Sequence, residues 1–94
     1  PWNNPLYIPL GKLAPALIYG NAVVWKPAPA AQGVAEEIMA AFQAAGLPDD
    51  VVALVLGDRI VGQALLADPA VSAATLTGSA RAGASAAEIC ARRG

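Results

Sequence analysis

Thr75-Leu76-Thr77-Gly78-Ser79-Ala80-Arg81-Ala82-Gly83 is the stretch whose residue types and spacing best suit a charged ligand. Ala73 to Leu76 is short, apolar and bounded, which predicts a buried strand. Thr77, Gly78 and Ser79 make a turn, and the alanine-rich run from Ala80 predicts a helix. The first N–H groups of such a helix lack intrahelical partners and sit at the positive end of its dipole, so they suit an anion. Glycine lets a phosphate or a ring approach the backbone closely. Gly78 and Gly83 are five residues apart, so the Gly-x-Gly-x-x-Gly dinucleotide pattern is absent. A plain packing turn between a strand and a helix fits these residues equally well.

Other chemistries lack their parts. The chain has no histidine and a single cysteine, Cys90. It cannot build an internal disulfide, a zinc site, or a Ser-His or Cys-His pair from its own residues. Net charge is −1, with no basic cluster beyond Arg92-Arg93, so there is no electrostatic footprint for nucleic acid. The apolar-looking run Leu13 to Trp25 contains Pro15, Gly20 and Asn21 and is too short to cross a bilayer.

These residues must be positioned by regular elements, and the pattern is strand and helix in alternation. Asn4 suits an N-cap and Pro5 a first helical position, so a helix is expected from Leu6 to Tyr19, bent at Pro9 and closed by Gly20. Ala22-Val23-Val24-Trp25 reads as a strand covered on both faces, ended by Lys26-Pro27-Ala28-Pro29. Ala30 to Ala45 reads as a helix with a stripe of Val34, Ile38, Ala41, Phe42 and Ala45, stopped by Gly46-Leu47-Pro48. Val51 to Leu56 is a second strand, Ile60 to Ala67 a short helix, Ala73 to Leu76 a third strand and Ala80 to Arg92 a last helix. The alternation predicts an α/β fold with a parallel sheet and right-handed crossovers. Ligands in such sheets bind at the carboxyl ends of the strands, which places Lys26, Gly57 and Gly78 as candidates for one crevice.

Ninety-four residues allow one domain at most. Charged residues make up 14%, against about 25% in typical soluble domains, while 56% are apolar. That leaves too little charge to cover a small free-standing globule. The first residue is Pro1, and the chain stops at Arg92-Arg93-Gly94 as a helix is running, so a slice of a larger protein is expected.

Several motifs then fall in a familiar order. Pro1-Trp2-Asn3, Gly11-Lys12-Leu13-Ala14-Pro15-Ala16-Leu17, Gly20-Asn21-Ala22-Val23-Val24-Trp25-Lys26-Pro27, Ala45-Gly46-Leu47-Pro48 and Thr77-Gly78-Ser79 with Gly83 resemble the aldehyde dehydrogenase superfamily. The resemblance covers essentially the whole chain. It implies a partial three-layer αβα, Rossmann-like nucleotide-binding fold, with residues 1–94 forming part of a single NAD(P)-binding domain and the catalytic domain lying outside this chain.

The resemblance also assigns roles. Asn3 matches the asparagine whose amide donates to the oxyanion of a thiohemiacetal formed on a cysteine. A neutral amide stabilises that charge without a proton to lose. Taken alone, Asn3 fits a turn or helix-capping residue as well. Trp2, beside it, is implied at the cofactor site. Lys26 matches the lysine that contacts the adenosine ribose or its phosphate. Pro29 stands where the family often has a glutamate that holds the ribose hydroxyls. That departure removes repulsion toward a 2′-phosphate, so NAD and NADP are both implied cofactors, and Arg59 is within sequence reach as a phosphate contact or a solvated charge. Thr77, Gly78, Ser79 and Gly83 match the cofactor-binding turn, while Gly57 and Gly62 match glycines flanking the adenine pocket or serve turn and helix packing. Asn4 replaces a bulky apolar residue.

The family's nucleophilic cysteine and its glutamate base, in a Glu-Leu-Gly-Gly motif, find no match. Cys90 falls inside the last helix and reads as a small buried apolar residue. The implied protein is a cytoplasmic homo-oligomer that binds a dinucleotide and a small aldehyde, with no metal, nucleic acid or membrane. An acyl phosphate or acyl-CoA reductase of the same superfamily and a non-catalytic nucleotide-binding module are the alternatives.

Overall fold

The computed structural model describes all 94 residues, Pro1–Gly94. The chain divides into two units, Pro1–Gly57 and Asp58–Gly94.

The first unit begins with helix α1, Tyr7–Ile18. Asn4 Oδ1 accepts the Tyr7 N–H at 3.3 Å, so Asn4 works two residues ahead of the N-cap position, Leu6, with Pro5 between them. Pro9 falls on the third helical residue, where an N–H has no partner to lose, so the helix runs through it from Tyr7. At the far end Gly20 has φ +84°, its N–H bonds Leu17 O, and Asn21 N–H bonds Ala16 O. That pair of bonds is a Schellman close, and Asn21 adds a side-chain bond to Ala16 O.

Strand β1, Val23–Trp25, pairs in parallel with strand β2, Val52–Leu54, in the register Val23–Val52, Val24–Ala53 and Trp25–Leu54. Both are shorter than expected. Between them Pro29–Ala31 forms a 3₁₀ turn that leads into helix α2, Gln32–Ala44. Gly46, with φ +87°, closes α2 with the same two-bond motif, Gly46 N–H to Gln43 O and Leu47 N–H to Phe42 O. The inward stripe of the 3₁₀ turn and α2 is Ala31, Ala35, Ile38, Met39 and Phe42. Val34 and Ala41, expected on that stripe, are exposed. The core holds Leu13, Trp25, Ala35, Ile38 and Val52, so α1 and α2 both pack on the strand pair.

The second unit holds helix α3, Arg59–Ala67, and helix α4, Ala80–Arg93. Asp58 caps α3 by accepting the Ile60 N–H at 3.0 Å. Asp68 accepts the Ala70 N–H at 2.9 Å and shapes the turn after α3. Arg93 donates to Leu66 O and Val71 O, and Gln63 Nε2 to Ser85 Oγ at 3.2 Å, so side chains tie α3 to α4. No residue from Asp58 onward is buried.

The third strand expected at Ala73 to Leu76 does not form; the sheet has two strands. The segment is exposed throughout. A strand exists only when a neighbouring edge satisfies its N–H and C=O groups, and Ala73 and Ala74 bring little apolar area to hold one in place. Cys90 is half-buried in α4, not fully buried. No helix is long and apolar enough to cross a membrane.

Candidate functional site

In the first unit two of the candidates, Lys26 and Gly57, meet at the carboxyl end of the parallel pair. β1 ends at Trp25, and the ladder runs one bond further, from Val55 N–H to Trp25 O at 2.9 Å. Lys26 leaves the sheet immediately after. Its stem lies half-buried, and Nζ donates to Pro27 O and to Gly57 O, each at 3.0 Å. Lys26 and Gly57 are therefore brought together across 31 residues of sequence. Both partners are uncharged carbonyls, so the ammonium keeps its full charge and one unused N–H. Pro29, three residues on, opens the 3₁₀ turn and offers no side-chain acceptor.

Trp2 and Asn3 lie ahead of α1 and are exposed, Trp2 by 74%. The capping oxygen for Tyr7 comes from Asn4 and not from Asn3. This removes the helix-capping role from Asn3 and leaves its amide free to donate elsewhere.

In the second unit Thr77, Gly78, Ser79 and Gly83 form one local assembly at the start of α4. Ser79 is the N-cap, its Oγ accepting the Ala82 N–H at 3.1 Å while its carbonyl takes the Gly83 N–H at 3.0 Å. The hydroxyl accepts through a lone pair, so its O–H stays available, as do the N–H groups of Ala80 and Arg81 at the helix start. Gly78 and Gly83 both have ordinary φ. A Cβ on Gly83 would meet nothing within 4 Å, and one on Gly78 would make only ordinary contact at 3.8 Å with Ala82 and Leu76. Neither strain nor packing within the chain demands glycine there. The turn is thus open beside both glycines.

Gly62 is inside α3, one turn beyond the Asp58 cap, and its N–H bonds Asp58 O at 3.1 Å. Arg59 is the first residue of α3 and is exposed. An open groove of about 640 Å³ between α3 and α4 is lined by Gln63, Ser85, Glu88, Arg92 and Arg93 among others. Neither that groove nor the Lys26–Gly57 bond is legible in the sequence, because both depend on contacts between residues distant in the chain.

Helices packed on a parallel strand pair, with a cation at its carboxyl end, and a separate serine-capped helix behind a glycine turn, define part of an α/β protein of Rossmann-like type. The sequence profile described as the aldehyde dehydrogenase family matches residues 1–94. The chain is 49% identical over 84 residues to alpha-ketoglutaric semialdehyde dehydrogenase of Bacillus subtilis (strain 168), covering 88% of this chain and 17% of that relative. It is 45% identical over 83 residues to N-succinylglutamate 5-semialdehyde dehydrogenase of Yersinia pestis, covering 88% of this chain and 16% of the relative. Crystal structures of the bifunctional proline utilization A protein, including that of Bradyrhizobium japonicum, superpose with a TM-score of 0.92 at 41% identity, over 97% of this chain and 9% of theirs. The chain belongs to the aldehyde dehydrogenase family. It spans about a sixth of the length of the curated relatives it matches.

Proposed function

We propose that residues 1–94 form part of the cofactor-binding domain, with the oxyanion asparagine, of an NAD(P)-dependent aldehyde dehydrogenase. The observation that carries this reading is the family match over the whole chain. The open glycine turn before the Ser79-capped helix and the unneutralised Lys26 support the cofactor assignment.

In this reading Asn3 donates its amide N–H to the oxyanion that develops when a cysteine outside these residues adds to the aldehyde carbon. A preorganised donor of this kind lowers the barrier by about 3 kcal/mol. Ser79 Oγ and the Ala80 and Arg81 N–H groups bind a phosphate of the dinucleotide. The remaining Lys26 N–H donates to the adenosine ribose or its phosphate, beside Gly57, and Trp2 lines the site near Asn3. When bound, the dinucleotide supplies the hydride acceptor. Pro29 presents no carboxylate to repel a 2′-phosphate, so NADP is accepted as well as NAD.

The full-length protein is a cytoplasmic homo-oligomer in this proposal, and a semialdehyde is the first substrate to assay because both relatives named above are semialdehyde dehydrogenases. The test is reduction of NAD or NADP by the full-length protein supplied with such an aldehyde. Reduction supports the reading. Turnover only in reverse, from an acyl-CoA or acyl phosphate, would instead place the protein among the acyl reductases, and dinucleotide binding without turnover would leave a binding module.

A further inference from the structure

We propose that Lys26 is a positioning residue, whose ammonium fixes the backbone at the carboxyl end of the parallel pair before any ligand arrives. The β ladder ends at the Val55 N–H bond to Trp25 O. Beyond it Leu56 and Gly57 lie outside the strand pairing, and Gly57 adopts φ +155°, a conformation that residues with a side chain rarely take. The contact that returns this exit segment to β1 is Lys26 Nζ to Gly57 O, at 3.0 Å. The second bond, to Pro27 O, holds the ammonium against its own strand exit, so the lysine clamps two exits. The lysine stem is half-buried, and a charge-assisted bond in that setting is stronger than a neutral one. Pro27 is buried, which makes the β1 side of the clamp the fixed side.

The inference deepens the cofactor reading, since the clamped segment floors the proposed crevice, but its first test needs no cofactor. Amide exchange would be followed in the full-length, ligand-free protein and in its Lys26→Met variant, which keeps the apolar stem and loses the ammonium. Exchange at Val55, whose N–H closes the ladder on Trp25 O, should quicken about tenfold with the remaining amides unchanged. The variant should then raise the cofactor KM more than it lowers kcat. A raised KM with unchanged exchange would make Lys26 a ligand contact alone and overturn the proposal, as would no change in either. If Lys26→Met unfolds globally, Lys26→Arg decides. Exchange at Val55 held to the parent rate by its retained cation supports the clamp, and quickening there in an otherwise folded Lys26→Arg overturns it. Absence of aldehyde oxidation would sink the functional reading while leaving the exchange result standing.

Discussion

At the residue scale the proposed chemistry rests on Asn3, whose side chain makes no hydrogen bond within the chain. Asn4 supplies the oxygen for the Tyr7 N–H, so the Asn3 amide is not engaged in holding α1. Asn3→Ala in the full-length enzyme should lower kcat about 100- to 1,000-fold. The melting temperature should stay within a degree or so, because a surface change that breaks no bond is close to neutral. A loss of thermal stability matching the loss of rate would make Asn3 structural. Pro29 offers a second test at this scale. Pro29→Glu opens the same 3₁₀ turn with a carboxylate three residues from Lys26. It should move the preference between cofactors toward NAD by about tenfold, through new bonds to ribose hydroxyls and repulsion of a 2′-phosphate. The ratio of kcat/KM values for the two cofactors reads this directly, and an unchanged ratio would remove Pro29 from the specificity argument.

At the scale of elements, Ser79 joins structure to the proposed function, because the hydroxyl that caps α4 is also a proposed phosphate contact. Two substitutions separate the roles. Ser79→Ala removes the cap and should cost about 1 kcal/mol, seen as lower stability in denaturant. Ser79→Asp keeps the cap, since aspartate is as good an N-cap as serine, but sets a negative charge where the phosphate would bind. It should hold stability near the parent value and weaken dinucleotide binding about tenfold or more. If Ser79→Asp binds dinucleotide as well as the parent, the anion is elsewhere. The elements themselves were legible where local chemistry decides them. Gly20 and Gly46 marked both helix ends because a positive φ is a property of one residue. The inward stripe of α2 was less legible, since alanines occupy both faces and Val34 offered a false anchor; the true spacing runs 31, 35, 38, 39 and 42. That Ala73 to Leu76 stays outside the sheet could not be read from composition, because pairing depends on an edge the four residues do not contain. In the same way Lys26 and Gly57 could be assigned to one end of the sheet from strand direction, but their direct bond could not.

For the whole molecule, burial is unevenly divided. All of the buried residues lie between Pro9 and Val52, and Asp58–Gly94 holds none. Large apolar side chains stand in solvent in both units, among them Tyr7, Ile18 and Tyr19 in the first and Ile60 and Leu76 in the second. Apolar burial contributes about 25 cal/mol per Å², and the entropy cost of ordering the backbone is about 1 to 2 kcal/mol per residue. A unit of caps and side-chain ties with no buried residue cannot offset that cost, whereas α1, α2 and the strand pair enclose a core that can offset part of it. The isolated 94-residue chain should therefore exchange amides of α3 and α4 at nearly unfolded rates, while amides of α2 and of the β1–β2 ladder stay protected. In the full-length protein α3 and α4 should gain protection, because polypeptide outside these residues would cover their apolar faces. Exchange mass spectrometry on the two proteins makes the comparison. Equal protection of both units in the isolated chain would mean that the capping network of Asp58, Asp68, Ser79 and Arg93 holds the second unit without a core.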